Sequence, residues 1–314
     1  MALADEPLFV PANGSLFTEP RAFAWHLVST RQTQFGYFDE VLARPAWKGR
    51  RVLDFGGNVG TFLGSAGNRI DHENYWCLDL NLDVVEQGQR TYPRAHFLHY
   101  NRYSSQYNPN GIRYLPIPDC GVKFDIIIAF SVFTHTDRSE MVELVSSLRS
   151  MLAPDGVLAF TFDDPHYDRS LSDPTRPPGS PVLWNLESRG EQAIAEQARW
   201  YILINDDLYV EPGDEFCQQT REGKPLESYC TYFTAEYMSS LFPDARVFPP
   251  VSPEWQYCCV LKRQKSLLDE DLSRKVAKSQ REGLRHAVAL CVLRALARKK
   301  SVLLGTEGAE NIIG

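Results

Sequence analysis

Long apolar runs are missing from this sequence. No stretch of about 18 apolar residues occurs, so no segment reads as a membrane span. An excess of positive charge is missing as well. The net charge is −7, which argues against the broad basic face that unspecific nucleic-acid binding requires. There is no CxxC pair, so a zinc site has no foothold. The seven cysteines are odd in number, and Cys77 and Cys258 lie in apolar runs. They read as reduced, mostly buried thiols of a cytoplasmic protein. The opening MALADEPLFVPANG carries early acidic residues and no long apolar run, so it does not read as a signal peptide. No internal repeat is present.

What remains is ordinary globular material. A chain of 314 residues, 43% hydrophobic and 23% charged, can bury a sizeable core without staples. Residues 1–19 look irregular, and 20–43 read as an aromatic-rich helical segment. Strand and helix signals then alternate. Arg51–Phe55, Tyr75–Leu80, Ala95–Tyr100, Phe124–Phe130 and Val157–Phe162 read as strands. Thr61–Ala66 and the amphipathic Arg138–Leu152 read as helices, the latter stopped by Pro154 and Gly156. FDIIIAF at 124–130 is apolar on both faces, as a central parallel strand covered by helices should be. The alternation predicts a doubly wound, mostly parallel sheet. Residues 163–233 interrupt it: a Pro-, Asp- and Ser-rich loop, a helix-like stretch at 187–200, and YILINDDLYV at 201–210. A helix at Thr234–Phe242, N-capped by Thr234, and strands at Arg246–Pro249 and Tyr257–Lys262 close the domain. Residues 264–300 read as a charged helix with Leu284, Val288, Cys291 and Leu296 near one face. The expected organisation is an N-terminal helical segment (1–45), a main domain (46–263) with an insertion at 163–233, and a C-terminal helical extension (264–314).

Four features carry chemistry. Asp54-Phe55-Gly56-Gly57-Asn58-Val59-Gly60 joins a strand to a helix start, where glycines allow close backbone approach and free N–H groups face outward. Asp79 ends the next strand, where a carboxylate can accept both hydroxyls of a ribose or simply cap a helix. Asn101 follows the third strand, where an amide can read an adenine amino group or shape a turn. Phe130-Ser131-Val132-Phe133-Thr134-His135 follows the fourth strand. Ligands in such sheets sit beyond the strands' carboxyl ends at the switch point, which strands one and four flank here.

Taken in order, these features resemble the class I methyltransferases that bind S-adenosylmethionine, of the small-molecule type. The resemblance covers about residues 50–163 and 234–263. Asp54, Gly56, Gly57 and Gly60 match the family's glycine motif, with Asn58 in place of its commonest middle glycine; Asn tolerates left-handed backbone. Asp79 matches the acidic ribose position, FDIIIAFSVFTH the fourth-strand motif, and LRSMLAPDGVLAFTF the helix–Pro–Gly–strand segment. The resemblance implies a seven-stranded sheet ending in an antiparallel hairpin, supplied by residues 245–262. It implies S-adenosylmethionine as cofactor: Gly56–Gly60 around the methionine part, Asp79 and Leu80 at the ribose, Asn101 at the adenine, Phe130 and Ser131 alongside. Arg31, Gln34 or Tyr37 would add a contact from the N-terminal helix. The rival on the same sheet is a nicotinamide-dependent oxidoreductase, disfavoured by Asp54 before the glycines and by the incomplete GxGxxG. A second is a non-methylating protein that keeps the cofactor site.

The expected reaction is methyl transfer to a small molecule, on oxygen, in secondary metabolism. His135 is the first candidate base, and Asp163, Asp164 and His166 form the second group. Asp163–Asp168 can also be read as a metal site, but turn chemistry explains the cluster and no metal is assigned. The insertion reads as a substrate cap whose Trp184, Trp200, Tyr201, Tyr209 and Tyr229 either line a pocket or form its own core. No Asn-Pro-Pro-Tyr type motif follows the fourth strand, which argues against amino-group methylases of adenine or glutamine. No nucleic acid or membrane partner is expected; the C-terminal helix is expected to pack on the domain or pair two subunits.

Overall fold

The computed structural model describes residues 34–168, 170, 178–205, 207–212, 229–250 and 256–263. The chain divides into two compact units, residues 1–263 and 264–314. The expected C-terminal helix, and residues 20–33 of the N-terminal one, lie outside the described residues. Residues 34–41 are helical (α1).

After α1 the elements run β1 (Val52–Phe55), α2 (Thr61–Ala66), β2 (Tyr75–Asp79), α3 (Leu82–Thr91), β3 (His96–His99), β4 (Phe124–Ala129), α4 (Arg138–Ser150) and β5 (Leu152–Phe162). Two short helices, α5 (Pro181–Glu187) and α6 (Gln192–Gln197), precede β6 (Trp200–Ile204), β7 (Asp207–Val210) and β8 (Tyr229–Phe233). Helix α7 (Ala235–Leu241), β9 (Arg246–Phe248) and β10 (Tyr257–Lys262) complete the unit.

Seven strands form one sheet in the order β3-β2-β1-β4-β5-β10-β9. β1 to β5 are mutually parallel, and β10 runs antiparallel to both β5 and β9. This is the doubly wound, mostly parallel sheet with a terminal antiparallel hairpin that the sequence pattern predicts. Its core lies on both faces, as the period of two requires. In β4, Ile126 and Ile128 join Phe35, Phe38, Phe62 and Leu63 from α1 and α2. Ile127 and Ala129 join Met141, Leu144, Val145 and Leu148 of α4. Helices start where capping groups stand: Asp137 accepts from the Glu140 N–H at 2.8 Å, Asn81 from Asp83, and Thr234 from Tyr237.

Two expectations need correction. β5 begins at Leu152, not Val157, because Leu152 pairs with Phe124 before a register shift and Val157 pairs with Ile126 after it. Pro154 and Gly156 thus bulge a strand instead of ending a helix. Gly156 passes so close to β4 that a Cβ there would stand 2.7 Å from the Phe124 carbonyl oxygen. The helix-like reading of 187–200 also fails at its end. Helix gives way at Ala198, and Trp200 is already strand, drawn into the ladder opposite Phe233. YILINDDLYV, which carried no assignment, is the β6–β7 hairpin, turning at Asn205 with φ of +46°. β8 completes this second sheet in the order β7-β6-β8.

Candidate active site

The turn after β1 is built by residues that cannot be larger. The Gly56 N–H donates to the Leu78 carbonyl at 2.7 Å, with φ of +75°. A Cβ on Gly56 would meet Val132 Cγ2 at 2.5 Å, and one on Gly57 would meet the Asp54 carboxylate at 2.5 Å. Asn58 takes the left-handed conformation at φ of +54°, and its Oδ1 accepts from the Val59 N–H at 2.7 Å. Its amide tail thus braces the turn. Gly60, left-handed at φ of +83°, opens α2.

Two carboxylates hold this turn from below. Asp54 is buried, and its Oδ2 accepts from the Tyr75 hydroxyl at 2.5 Å. Burial pushes its carboxyl up to about 7, with the Tyr75 hydrogen bond opposing and Asp79's charge adding to the rise. Asp79 accepts from the Asn58 N–H at 2.9 Å through Oδ2 and from the Asn81 N–H at 2.9 Å through Oδ1. Burial raises its pKa too, against those two hydrogen bonds. The Leu80 N–H adds a third hydrogen bond, and the carboxylate keeps acceptor capacity for a hydroxyl. Leu80 follows, half-buried, with its carbonyl 3.1 Å from His99 Nε2.

Asn101 is exposed at the β3 end, with its Oδ1 accepting from Asn108 at 3.0 Å. Phe130 is half-buried, edge-on to Tyr37 (6.4 Å) and Phe38 (6.2 Å). Tyr37 itself is buried and spends its hydroxyl on the Gln256 carbonyl at 2.8 Å. It therefore backs Phe130, and its hydroxyl is turned to the β10 end. Arg31 lies outside the described residues. Ser131, at φ of +55°, is held by long-range bonds that no local pattern signals. Its N–H donates to Thr161 Oγ1 at 2.7 Å and its Oγ accepts from Gln256 Nε2 at 3.1 Å. Thr161 donates to Gln256 Oε1 at 2.6 Å, closing a buried polar network across the ends of β4, β5 and β10.

His135 sits on the short 3₁₀ turn after β4. Its Nδ1 lies 3.0 Å from the Tyr229 carbonyl and its Nε2 lies 3.2 Å from the Tyr107 hydroxyl. A carbonyl only accepts, so the proton belongs on Nδ1 and Nε2 is the acceptor. Burial lowers its pKa to about 4 in spite of the Tyr229 contact.

The second candidate group is spread apart. Asp163 is buried at the β5 end, where its Oδ2 accepts from the Cys230 thiol at 3.6 Å and its carbonyl accepts from the Phe233 N–H at 2.9 Å. Asp164 is occupied by backbone, accepting from the His166 N–H and from the Ala235 N–H at the start of α7, both at 2.8 Å. His166 is exposed and 3.8 Å from Asp164. Asp168 accepts from the Ser170 N–H and hydroxyl. Turn chemistry thus accounts for 164–168, and no group of three or more His, Cys, Asp or Glu stands ready for a metal among the described residues. The insertion's aromatics are mostly core. Trp200, Ile202, Ile204, Tyr229 and Phe233 join the main core, while Tyr201 and Tyr232 pack with Leu186, Ala195 and Leu203 under α5 and α6. Trp184 alone of the five expected there is exposed.

Arg102 was not singled out by sequence, because its partners lie about 40 residues away. Buried, it donates from Nε to Glu140 at 3.0 Å and from its two terminal nitrogens to Glu143 at 2.9 and 2.6 Å. It also donates to the Leu115 carbonyl at 3.0 Å. This anchors loop 101–115 to α4.

An open parallel sheet with a glycine turn, a strand-end carboxylate and a switch point between β1 and β4 defines a nucleotide-binding domain of the Rossmann-like class. Residues 53–158 match the family model of a methyltransferase domain. The matched stretch holds the glycine turn, Asp79, Asn101 and His135. No curated protein matches the sequence. Among solved structures, an S-adenosylmethionine-dependent methyltransferase from Clostridium acetobutylicum is 9% identical, with 78% of this chain and 98% of that one covered and a TM-score of 0.45. The pyocyanin biosynthetic protein PhzM is 14% identical over 79% of this chain, at a TM-score of 0.45, and the match spans 60% of its length. Magnesium protoporphyrin IX methyltransferase from Synechocystis, solved with bound SAH, is 13% identical over 81% of this chain and 90% of its own, at 0.42.

Proposed function

We propose that this enzyme transfers a methyl group to an oxygen nucleophile of a small molecule, with His135 receiving the nucleophile's proton. The observation that carries the reading is the fixed tautomer of His135: Nδ1 gives its proton to the Tyr229 carbonyl, and Nε2 is left as an acceptor facing a hydroxyl at 3.2 Å. A pKa of about 4 keeps the ring neutral, and able to accept, throughout the neutral range. The net charge of −7 favours a small acceptor over a nucleic acid.

The residues present fit the cofactor. Val132 and the Asp54 carboxylate already fill the Cβ positions of Gly56 and Gly57, so only glycine keeps the turn this compact. Asp79 keeps acceptor capacity for a hydroxyl, Asn101 stands exposed for the adenine, and Phe130 offers a half-buried ring face. S-adenosylmethionine, when bound, supplies an electrophilic methyl carbon on a sulfonium. The chain then has to align the acceptor oxygen with that carbon and exclude water, a contribution of about 7–11 kcal/mol in well-oriented reactions. Ser131, held by Thr161 and Gln256, fixes the strand end on which His135 is carried. Asp163, beside Cys230, is the reserve base.

Calorimetry with S-adenosylmethionine and, separately, NAD tests the cofactor. Heat is expected with the first alone and should vanish in Asp79→Ala; no heat in the wild type ends the reading. Release of S-adenosylhomocysteine against a panel of hydroxylated small molecules tests the base. His135→Ala should keep cofactor affinity and lose at least tenfold in turnover. Full turnover in that variant removes His135 from its role.

A further inference from the structure

A tongue of chain crosses from the cofactor side to His135. It begins at Asn101 and returns at Ile112, where Tyr103 N–H donates to the Ile112 carbonyl (3.0 Å) and Ile112 N–H to the Asn101 carbonyl (2.8 Å). Ser104 and Asn108 exchange backbone hydrogen bonds at 3.1 and 3.0 Å, making a closed turn. The Asn108 amide donates to the Asn101 side chain and the Arg102 carbonyl, both at 3.0 Å, and Arg102 ties the base to α4. The base is therefore firm, and the turn carries Tyr107 at its tip.

Tyr107 does something a loop tyrosine has no structural need to do. It is 40% exposed, so it supports no core. Yet its ring stands edge-on to the His135 imidazole, centroids 5.0 Å apart at 85°, and its hydroxyl gives its proton toward Nε2. That is the one nitrogen of His135 free to accept from an incoming nucleophile, because Nδ1 is committed to Tyr229. Burial of the hydroxyl, with the charges of Cys230 and Asp79 adding to it, pushes the phenol up to about 12. A phenol this reluctant to ionise keeps its proton, whereas an acceptor gives its proton to His135 only as its oxygen takes the methyl group. It is a poor relay, and it blocks Nε2 by occupying it.

We propose that Tyr107 is a tethered stand-in for the acceptor: its ring and hydroxyl occupy the seat of a phenolic substrate, and the tip of the tongue must yield before such an acceptor can bind. The proposal rests on the assignment of His135 under Proposed function and names the substrate class of that same site, a planar aromatic carrying a hydroxyl. The edge-on packing suits an aromatic ring, and the hydrogen-bond geometry suits a phenolic O–H. Aliphatic alcohols would satisfy Nε2 but not the ring contact.

The test uses the full chain loaded with S-adenosylhomocysteine and 4-nitrophenol as probe, read by its absorbance shift on binding. Cyclohexanol, which lacks the aromatic ring, and nitrobenzene, which lacks the hydroxyl, are controls read by their displacement of 4-nitrophenol. The wild type should bind 4-nitrophenol more tightly than either control. Tyr107→Phe keeps the ring but frees Nε2, and it should tighten 4-nitrophenol binding roughly two- to tenfold, the worth of one neutral hydrogen bond. It should leave cofactor affinity unchanged and lower KM with kcat preserved on any phenol that turns over. A fall in kcat with unchanged KM would make Tyr107 a catalytic hydroxyl, and unchanged binding would make it structural; either overturns the proposal. Equal affinity for 4-nitrophenol and both controls overturns the substrate class. Failure of S-adenosylhomocysteine itself to bind would instead strike the cofactor reading.

Discussion

Two buried ionisable residues pull stability in opposite directions along the pH axis. Asp54 rises from 3.8 to about 7 on folding. The folded state therefore binds its proton more tightly, and that stability is present below pH 4 and lost as pH rises through 7. His135 falls from 6.5 to about 4. Its folded state resists the proton, so stability present above 6.5 is lost as pH falls through 4. Between pH 4 and 6.5 the two slopes largely cancel. Urea unfolding of single variants should separate them. Relative to the wild type, Asp54→Asn should gain stability steadily from pH 4 to 7, on the order of 4 kcal/mol over the interval; its amide oxygen still accepts from Tyr75. His135→Asn should show the opposite trend, gaining on the wild type as pH drops from 6.5 to 4. Parallel curves for all three proteins would refute both assignments. Asp54, Gly56, Gly57, Gly60 and Asp79 could be singled out from sequence because turn glycines and strand-end carboxylates have local signatures. Thr161, Gln256 and Tyr107 could not, since their meaning lies in partners from 28 to 125 residues away.

At the scale of elements, the firmness of the Asn101–Leu115 loop depends on a single side chain. Arg102 is 4% exposed, Glu140 28% and Glu143 42%. The guanidinium holds Glu143 below its usual range, whereas Glu140, more deeply placed, is pushed up to about 7 by burial despite the same cation. Removing the cation strands Glu140 and leaves the Leu115 carbonyl without its donor. Arg102→Met should cost about 3 kcal/mol, the lower end for breaking a buried pair because Glu143 reaches solvent. Amides of Tyr103, Ser104, Asn108 and Ile112 should exchange with solvent faster than those of β4 does under the same conditions. Uniform acceleration across the domain would mean that Arg102 supports the fold at large and not this loop. Elements were readable from sequence where one period ruled. β1, β2, β4 and α2 stand within a residue or two of expectation because they are apolar runs or glycine-bounded. β5 and β6 were misjudged at their starts. Pro154 and Gly156 look like stop signals until β4 is seen alongside, and the 187–200 helix pattern yields to the ladder partner Phe233.

For the 1–263 unit as a whole, the issue is whether the insertion folds with the sheet or beside it. The alternating residues of β6 answer from both sides. Trp200, Ile202 and Ile204 share a core with Phe160, Phe162 and α4, while Tyr201 and Leu203 face α5 and α6. Backbone stitches reinforce this: Phe233 N–H donates to the Asp163 carbonyl at 2.9 Å, and the Thr231 hydroxyl to the Thr136 carbonyl at 2.7 Å. His135, on β4's carboxyl end, takes its tautomer from Tyr229 of the inserted β8. An insertion that unfolded separately would thus release the proposed base along with it. One cooperative unit is the expectation, and Ile202→Ala tests it. Ile202 is wholly buried, so truncation should cost about 2–5 kcal/mol. In native-state hydrogen exchange, the most protected amides of β4 and β6 should share one opening free energy, and the variant should lower both equally. If β6 alone loses protection while β4 keeps its wild-type value, the insertion is a separate folding unit. The coupling between insertion and base would then have to come from docking, with His135's pKa rising toward 6.5 whenever the insertion undocks.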